Sequence, residues 1–261
     1  MTESSTSLIV VGARGRMGAR LCELALQDPL MRLAGAIVRP GSACIGATVR
    51  SERPGAPAYS DAASCTQNPA FSRGVFVDFS SNEGAVDAIN LAMHHHGALL
   101  VGTTALGDST LRALRAAAER IPVLVCSNTS LGVAVVAQTI STISLALGPS
   151  YDCSIVESHH IAKKDAPSGT AKRFAAAVRE SGHALRDDQV LAMRGGDVIG
   201  EHTVRFAGPG EIIEITHRAT SRDLFVRGAL RAARWLGGQV PGWYAVEDSI
   251  PNAARSKHDR E

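Results

Sequence analysis

Several features are scarce in this chain, and each scarcity excludes a class of function. Aromatic residues make up 4% of the sequence, and 27 Lys and Arg nearly balance 25 Asp and Glu, leaving a net charge of +2. There is no basic arm with interleaved aromatics, so a dedicated nucleic-acid surface is not expected. The five cysteines (Cys22, Cys44, Cys65, Cys126 and Cys153) are odd in number and lack C-x-x-C spacing. That pattern argues against a disulfide framework or a thiolate metal site and for reduced thiols in the cytoplasm. No apolar run is expected to approach the ~20 residues that cross a bilayer, and the polar start, Met1 to Ser7, does not read as a signal peptide. What remains is 261 residues, 45% hydrophobic and 20% charged, ordinary for a globular chain with one or two cores.

The first half alternates between strand and helix signals. Leu8 to Val11 is a short apolar run ending at Gly12. Arg16 to Gln27 carries Met17, Leu21, Leu24 and Leu26 at helical spacing, and Leu33 to Val38 reads as a second strand. The turn of this βαβ unit is Gly12-Ala13-Arg14-Gly15-Arg16-Met17-Gly18, a GxxGxxG variant of the dinucleotide fingerprint. Gly12 suits the tight turn, Gly15 admits a pyrophosphate, and Gly18 lets helix pack on strand. The acid that would receive the ribose hydroxyls of NAD is missing after the second strand. Val38 and then Arg39 stand there, which modestly favours NADPH over NADH. Strands at 74–79, 98–101 and 123–126 and helices at 83–96 and 111–121 continue the alternation. Gly102-Thr103-Thr104 and Ser127-Asn128-Thr129 close two strands where ligands of open α/β sheets lie. His94-His95-His96 cannot converge on one metal from successive helical positions, and reads instead as imidazoles at a helix end before a C′ glycine, Gly97.

After Ser130 the texture changes. Leu131 to Leu147 is a long apolar helix. It is followed by a strand at 151–156, a helix at 171–181, antiparallel-looking strands at 190–193, 200–206 and 212–217, and a closing helix at 222–236. Between the first of these strands and its helix runs Glu157-Ser-His-His-Ile-Ala-Lys-Lys-Asp-Ala-Pro-Ser-Gly-Thr-Ala171. Each fragment has an ordinary reading, as a structural histidine, a solvated lysine or a helix start. Their density on one strand-to-helix connection points further. His159 and His160 exchange protons near neutral pH, Lys163 is a mobile cation, and Pro167-Ser168-Gly169-Thr170 opens a helix with N–H groups and hydroxyls facing outward. A pocket for a small carboxylate that gains or loses a proton is the expectation. The chain thus divides into α/β residues 1–130, with 237–261 returning to them, and an α+β sheet domain at 131–236.

Together, Gly12-x-x-Gly15-Arg16-Met17-Gly18, Gly102-Thr103-Thr104, Glu157-x-His159-His160-x-x-Lys163-x-Asp165-Ala166-Pro167-Ser168-Gly169-Thr170-Ala171 and the later Arg194-Gly195-Gly196-Asp197, Gly200-Glu201-His202-Thr203 and Ile215-Thr216-His217-Arg218-Ala219 resemble the 4-hydroxy-tetrahydrodipicolinate reductase family, formerly dihydrodipicolinate reductase. The likeness runs in order through nearly the whole chain. It implies a cytoplasmic enzyme of lysine and diaminopimelate synthesis with a Rossmann dinucleotide-binding domain and a sheet domain that forms a homotetramer. Its substrate is a small cyclic dicarboxylate and its cofactor NADPH or NADH, with no metal. By position, His159 is the general acid/base and Lys163 the proton donor. His160, Ser168, Gly169 and Thr170 hold substrate carboxylates. Gly12, Ala13, Arg14, Gly15, Arg16, Met17, Arg39, Gly102, Thr103, Thr104, Cys126, Ser127, Asn128 and Thr129 line the cofactor.

The sequence departs from that family at several places, Val38 and Ser81 among them on the adenosine side. Thr129 replaces a Phe that usually follows Asn, and Ala105-Leu106 replaces the usual Gly-Phe after Gly-Thr-Thr. These departures leave two alternatives: a nicotinamide-dependent reductase or dehydrogenase of another small carboxylic acid, and a nucleotide-binding sensor without activity. The intact His159, Lys163 and Asp165 weigh against the sensor.

Overall fold

In the computed structural model, residues 5–50 and 55–251 are described, and they fall into two compact units, 1–129 with 225–261 and 130–224. The last part of the returning segment, 252–261, lies outside the described residues, as does the start of the polar N-terminal segment.

The first unit begins with β1 (Thr6–Val11), α1 (Arg16–Ala25), β2 (Met31–Ile37), β3 (Tyr59–Ser60), the short α2 (Ala62–Cys65) and β4 (Val75–Asp78). It continues through α3 (Asn82–His94), β5 (Ala98–Val101), α4 (Asp108–Ala118) and β6 (Pro122–Val125). β4 and β5 are buried at every position. Such strands read as continuous apolar runs because helices cover both faces of a parallel sheet. The second unit holds α5 (Leu131–Leu147), β7 (Asp152–His159), α6 (Gly169–Glu180), β8 (Val190–Arg194), β9 (Glu201–Gly208) and β10 (Glu211–Arg218). The chain then re-enters the first unit with most of α7 (Asp223–Leu236) and with β11 (Gly242–Tyr244).

The first sheet has seven strands in the order β11-β6-β5-β4-β1-β2-β3, every described pairing parallel. The reversal of strand order beside β1 places the carboxyl ends of β1 and β4 at the switch point where α/β sheets bind ligands. β3 and β11 carried no legible sequence signal. Both are very short edge strands, and β11 is held by pairing with β6 and by Trp243 under Arg115, whose guanidinium lies 3.6 Å from the ring centroid. The closing helix, expected in the second domain, groups with the first unit from Phe225 onward. Its buried stripe, including Val226, Ala229, Ala233 and Leu236, explains the affinity for a core. The expected helix end at Gly97 is also corrected. His96, not Gly97, takes the left-handed conformation at φ 50°, and His95 is no exposed imidazolium. It is buried against Phe71 and Phe76, and burial lowers its pKa. All five cysteines are free.

In the second unit the four-stranded sheet runs β10-β9-β7-β8. β7 and β9, and β9 and β10, pair antiparallel, but β8 pairs parallel to β7, contrary to the all-antiparallel expectation. The reason is connectivity. β7 returns to β8 through α6, and a helical crossover delivers a parallel neighbour. β7 alternates strictly, burying Cys153, Ile155, Glu157 and His159 on one face. That face packs on α5 and α6 through Val133, Ile140, Phe174 and Val178. α5 also corrects the reading of apolar runs. From Leu131 to Ser150 the chain holds no charge and is long and apolar enough, by length and composition alone, to cross a membrane. Gln138, Thr139, Ser141 and Thr142 mask this in the sequence. In the fold, Val133, Ala137 and Ile140 of α5 are buried in the second core, and Ala134 and Ser144 are buried as well.

Candidate active site

The second unit gathers its polar residues at one end of an otherwise apolar sheet face. Strand register does this. Glu157 lies between Ala192 on β8 and His202 on β9, His202 lies opposite His217 on β10, and His159 lies opposite Arg194. All are on the face that is apolar earlier in β7, at Cys153 and Ile155. β7 runs three residues further than expected, so Glu157 and His159 sit on the strand itself rather than in the following loop. A strand holds a side chain's direction better than a loop does.

Glu157 is fully buried and every bond it makes is to a site residue. One carboxylate oxygen, Oε2, is hydrogen-bonded to Nδ1 of His159. The other, Oε1, accepts from the backbone N–H of Ser168 at 3.1 Å and from Arg194 Nη2 at 2.9 Å. Burial by itself would raise the Glu157 pKa. The Arg194 bond, His159 and the Ser168 amide outweigh it and hold the carboxyl below its usual range. Burial also lowers the pKa of His159. Glu157 opposes that shift, while the charges of Lys163 and Arg194 add to it. Ser168 caps α6, its hydroxyl accepting from Ala171 N–H at 3.2 Å and lying 3.0 Å from His202 Nε2. His202 is buried, and desolvation, with the nearby His159, brings its pKa down to about 4. Lys163 pairs with Asp165 at 2.8 Å.

Of the residues predicted here, the structure brings His159, Lys163 and Ser168 into one network. Gly169 opens α6 with space around it, Thr170 follows it, and His160 is half-buried with its carbonyl accepting from Lys163 N–H at 3.1 Å. Sequence reading missed the roles of Glu157, Arg194 and His202. The available signal was alternation: a Glu in phase with buried Cys153 and Ile155 must be buried and partnered.

In the first unit, Gly12 adopts φ 79°, and a Cβ there would meet the Phe79 carbonyl at 2.6 Å. A Cβ on Gly18 would lie 2.1 Å from the Gly12 carbonyl oxygen. The two glycines therefore do what the fingerprint asks: one makes the turn and the other lets α1 approach it. α1 begins after Gly15 with no side-chain cap, leaving its first N–H groups to an anion. Gly12, Arg14, Gly15 and Arg39 line one cavity of about 480 Å³ together with Val38, Ser80 and Ser81. Arg14 lies over Tyr59, 5.7 Å from the ring centroid. These features fit a dinucleotide. Arg16 is exposed and Met17 half-buried at the start of α1. Thr103 accepts from Ser80 N–H at 2.8 Å, and Gly102 sits so close to Phe79 that a Cβ would reach its ring at 2.2 Å. Thr104 and Ser127 are exposed, while Cys126 and Asn128 are half-buried. Two predictions need correction at the level of side chains. Ala13 is fully buried and belongs to the core, so only its backbone faces the turn. Thr129 is buried and donates to the Phe225 carbonyl at 2.6 Å, which ties the re-entering chain to the segment after β6 rather than presenting a hydroxyl. Asp78, unremarked in the sequence, is buried at the end of β4 with Ser80 bonded to one oxygen, and burial raises its pKa.

Comparison with known proteins decides what such a pair of sites serves. Residues 6–129 match the family model of dihydrodipicolinate reductase, N-terminus, and residues 132–250 that of its C-terminus. The chain belongs to the dihydrodipicolinate reductase family. It is 41% identical over 256 residues to a 4-hydroxy-tetrahydrodipicolinate reductase of Stenotrophomonas maltophilia (strain K279a), covering 96% of this chain and 100% of that one. It is 37% identical over 261 residues to one from Myxococcus xanthus (strain DK1622), covering 93% and 96%. A dipicolinate-bound dihydrodipicolinate reductase from Paenisporosarcina sp. TG-14 shares the fold, with a TM-score of 0.75 at 20% identity over 94% of this chain and 100% of that one. As a member of this reductase family the chain is an oxidoreductase that uses a nicotinamide cofactor.

Proposed function

We propose that the chain reduces the dihydrodipicolinate formed from 4-hydroxy-tetrahydrodipicolinate to tetrahydrodipicolinate, in lysine and diaminopimelate synthesis in the cytoplasm. The observation that carries this reading is the buried Glu157–His159 pair, joined through Ser168 to the start of α6 and through Arg194 to the backbone of Lys163. A cyclic dicarboxylate needs anion-binding groups beside a proton source, and this segment supplies both. Ser168, Gly169, Thr170 and His160 hold the carboxylates, using the N–H groups and positive dipole end of α6. His159 exchanges a proton at Nε2 and Lys163 delivers one from Nζ to the ring atom next to the one reduced. Lys163 also offsets negative charge as it develops. When bound, the nicotinamide supplies the hydride. Gly12, Gly15 and the first turn of α1 take its pyrophosphate, and Gly102 to Thr104 and Cys126 to Asn128 border the rest.

NADPH is the preferred cofactor. Val38 is buried where an acid would stand, and Arg14 and Arg39 line the adjoining cavity, a lining suited to a 2′-phosphate. A homotetramer forms through the open face of the second sheet. Strand register puts Val156, Leu191, Met193 and Ile212 on that face, all exposed. Leu191→Glu should then dissociate the oligomer in light scattering, and an unchanged mass would refute this interface.

The deciding experiment is oxidation of NADPH, and separately NADH, by purified protein with freshly generated 4-hydroxy-tetrahydrodipicolinate. Substrate-dependent oxidation, faster with NADPH, is expected. No oxidation with either cofactor by folded protein refutes the reading and favours a different small carboxylic acid.

A further inference from the structure

We infer that Glu157 is a positioning residue: its carboxylate fixes the proton of His159 on Nδ1, leaving Nε2 to work on the substrate, and through Arg194 it holds the loop that carries Lys163. The inference rests on the reductase reading of this site and deepens it.

The chemistry of the donors dictates the tautomer. Arg194 donates to Oε1 of Glu157 at 2.9 Å, and the Ser168 amide donates to the same oxygen at 3.1 Å. A carboxyl receiving two such donors, one of them cationic, stays ionised and is acceptor-only. Its remaining oxygen, Oε2, faces Nδ1 of His159. Nδ1 must therefore carry a hydrogen, and in the neutral imidazole the lone pair falls on Nε2. Gly200 keeps that second nitrogen clear, since a Cβ there would lie 3.0 Å from Nε2. Position and protonation thus agree on which atom faces outward.

Arg194 extends the arrangement to the second proton carrier. Besides Glu157 it donates to the carbonyl of Asp165 at 2.6 Å and, through Nε, to that of Lys163 at 3.3 Å. Asp165 in turn pairs with Lys163 Nζ. One buried carboxylate thereby connects the acid/base histidine, the cap of α6 and the backbone of the lysine loop.

A metal site is the competing use of these groups. Ligand atoms of Glu157, His159 and His202 all lie within 4.8 Å of one another. The bonding opposes it. Glu157 Oε2 and His159 Nδ1 are spent on each other, Oε1 takes two N–H donors, and the Arg194 guanidinium repels a cation. His202 Nε2 is engaged with Ser168.

The test combines the tautomer with the kinetics. Histidine ¹⁵N spectra of the wild type above neutral pH, with His159→Gln for assignment, should show His159 protonated at Nδ1. A bare Nδ1 overturns the inference whatever reaction the enzyme runs. Glu157→Gln should lower kcat on the order of 100-fold, as expected when a proton-transfer group is misoriented. KM and NADPH affinity should stay within about 3-fold, because neither depends on the His159 proton. In a His159→Gln background the same change should cost less than about 3-fold, since the amide oxygen it leaves at position 157 still accepts from Arg194 and Ser168 and only the tie to His159 is lost. Equal loss in both backgrounds, or a Glu157→Gln enzyme as fast as wild type, overturns the inference and leaves the reductase reading intact. If Glu157→Gln does not fold, the wild-type spectrum still decides. Wild-type protein that shows Nδ1–H but does not oxidise NADPH with the substrate refutes the reductase reading instead.

Discussion

Replacing Ala105 with glycine relieves a backbone conformation that an L-residue resists. Ala105 stands at φ 59°, in the left-handed region, immediately after Gly102-Thr103-Thr104. The Cβ–carbonyl clash there costs roughly 1–2 kcal/mol. Glycine also gives the unfolded chain more freedom, which returns about 0.4–1 kcal/mol of that gain. The methyl group is exposed, so no packing is lost. The net effect is a stabilisation of about 0.5–1 kcal/mol, or roughly 2 °C in Tm for a unit of this size. Calorimetric scans of the two proteins at matched concentration provide the assay, and Ala105→Val, stiffer at χ1, should shift Tm the other way. A glycine variant that melts at or below wild type would show that local contacts, not glycine-like backbone, hold this turn.

Three further expectations follow from particular contacts. Gly18→Ala forces a Cβ to 2.1 Å from the Gly12 carbonyl, backbone against backbone, so α1 must shift. NADPH affinity should fall at least tenfold with a loss of about 1–3 kcal/mol in stability, read by fluorescence titration and urea melts; unaltered affinity would refute the close-approach role. Gly200→Ala puts a methyl at 3.0 Å from His159 Nε2 and should reduce kcat far more than it reduces stability; a variant with wild-type kcat would show that Nε2 is not the working atom. His202 has a folded pKa of about 4 against an ordinary value of 6.5, so between these values the unfolded state binds more protons. Its contribution is therefore complete above about pH 6.5 and declines as pH falls toward 4, by up to about 3 kcal/mol. Urea midpoints should drop between pH 7 and pH 5, less steeply in His202→Gln, and a flat profile would contradict neutral burial.

The places where sequence and structure part company have physical reasons. The parallel strands and their helices were legible because strands buried on both faces write themselves as apolar runs, and because a glycine turn between strand and helix has few uses. Edge strands β3 and β11 were not, since two or three residues carry no period and their pairing is fixed by neighbours distant in sequence. The direction of β8 was lost because alternation is the same in parallel and antiparallel strands. His95 was misread because a helix-end position says nothing about Phe71 and Phe76, which come from elsewhere in the chain. Thr129 read as a cofactor neighbour because its partner, the Phe225 carbonyl, lies 96 positions away.

The candidate site divides along the same line. The sequence by itself determined the reacting groups: His159, Lys163 and the Ser168-Gly169-Thr170 helix start are neighbours in the chain, and the types of residue in that order already imply proton transfer beside an anion. It also determined the glycine turn, whose constraints are local. Only the tertiary structure decided which groups govern those residues. Glu157 reaches Arg194 and His202 because three strands align in register, and a hydrogen-bond network between strands is set by the register rather than by spacing within any one segment. The tautomer of the histidine and the anchoring of the lysine loop depend on those long-range neighbours, and no local pattern encodes them.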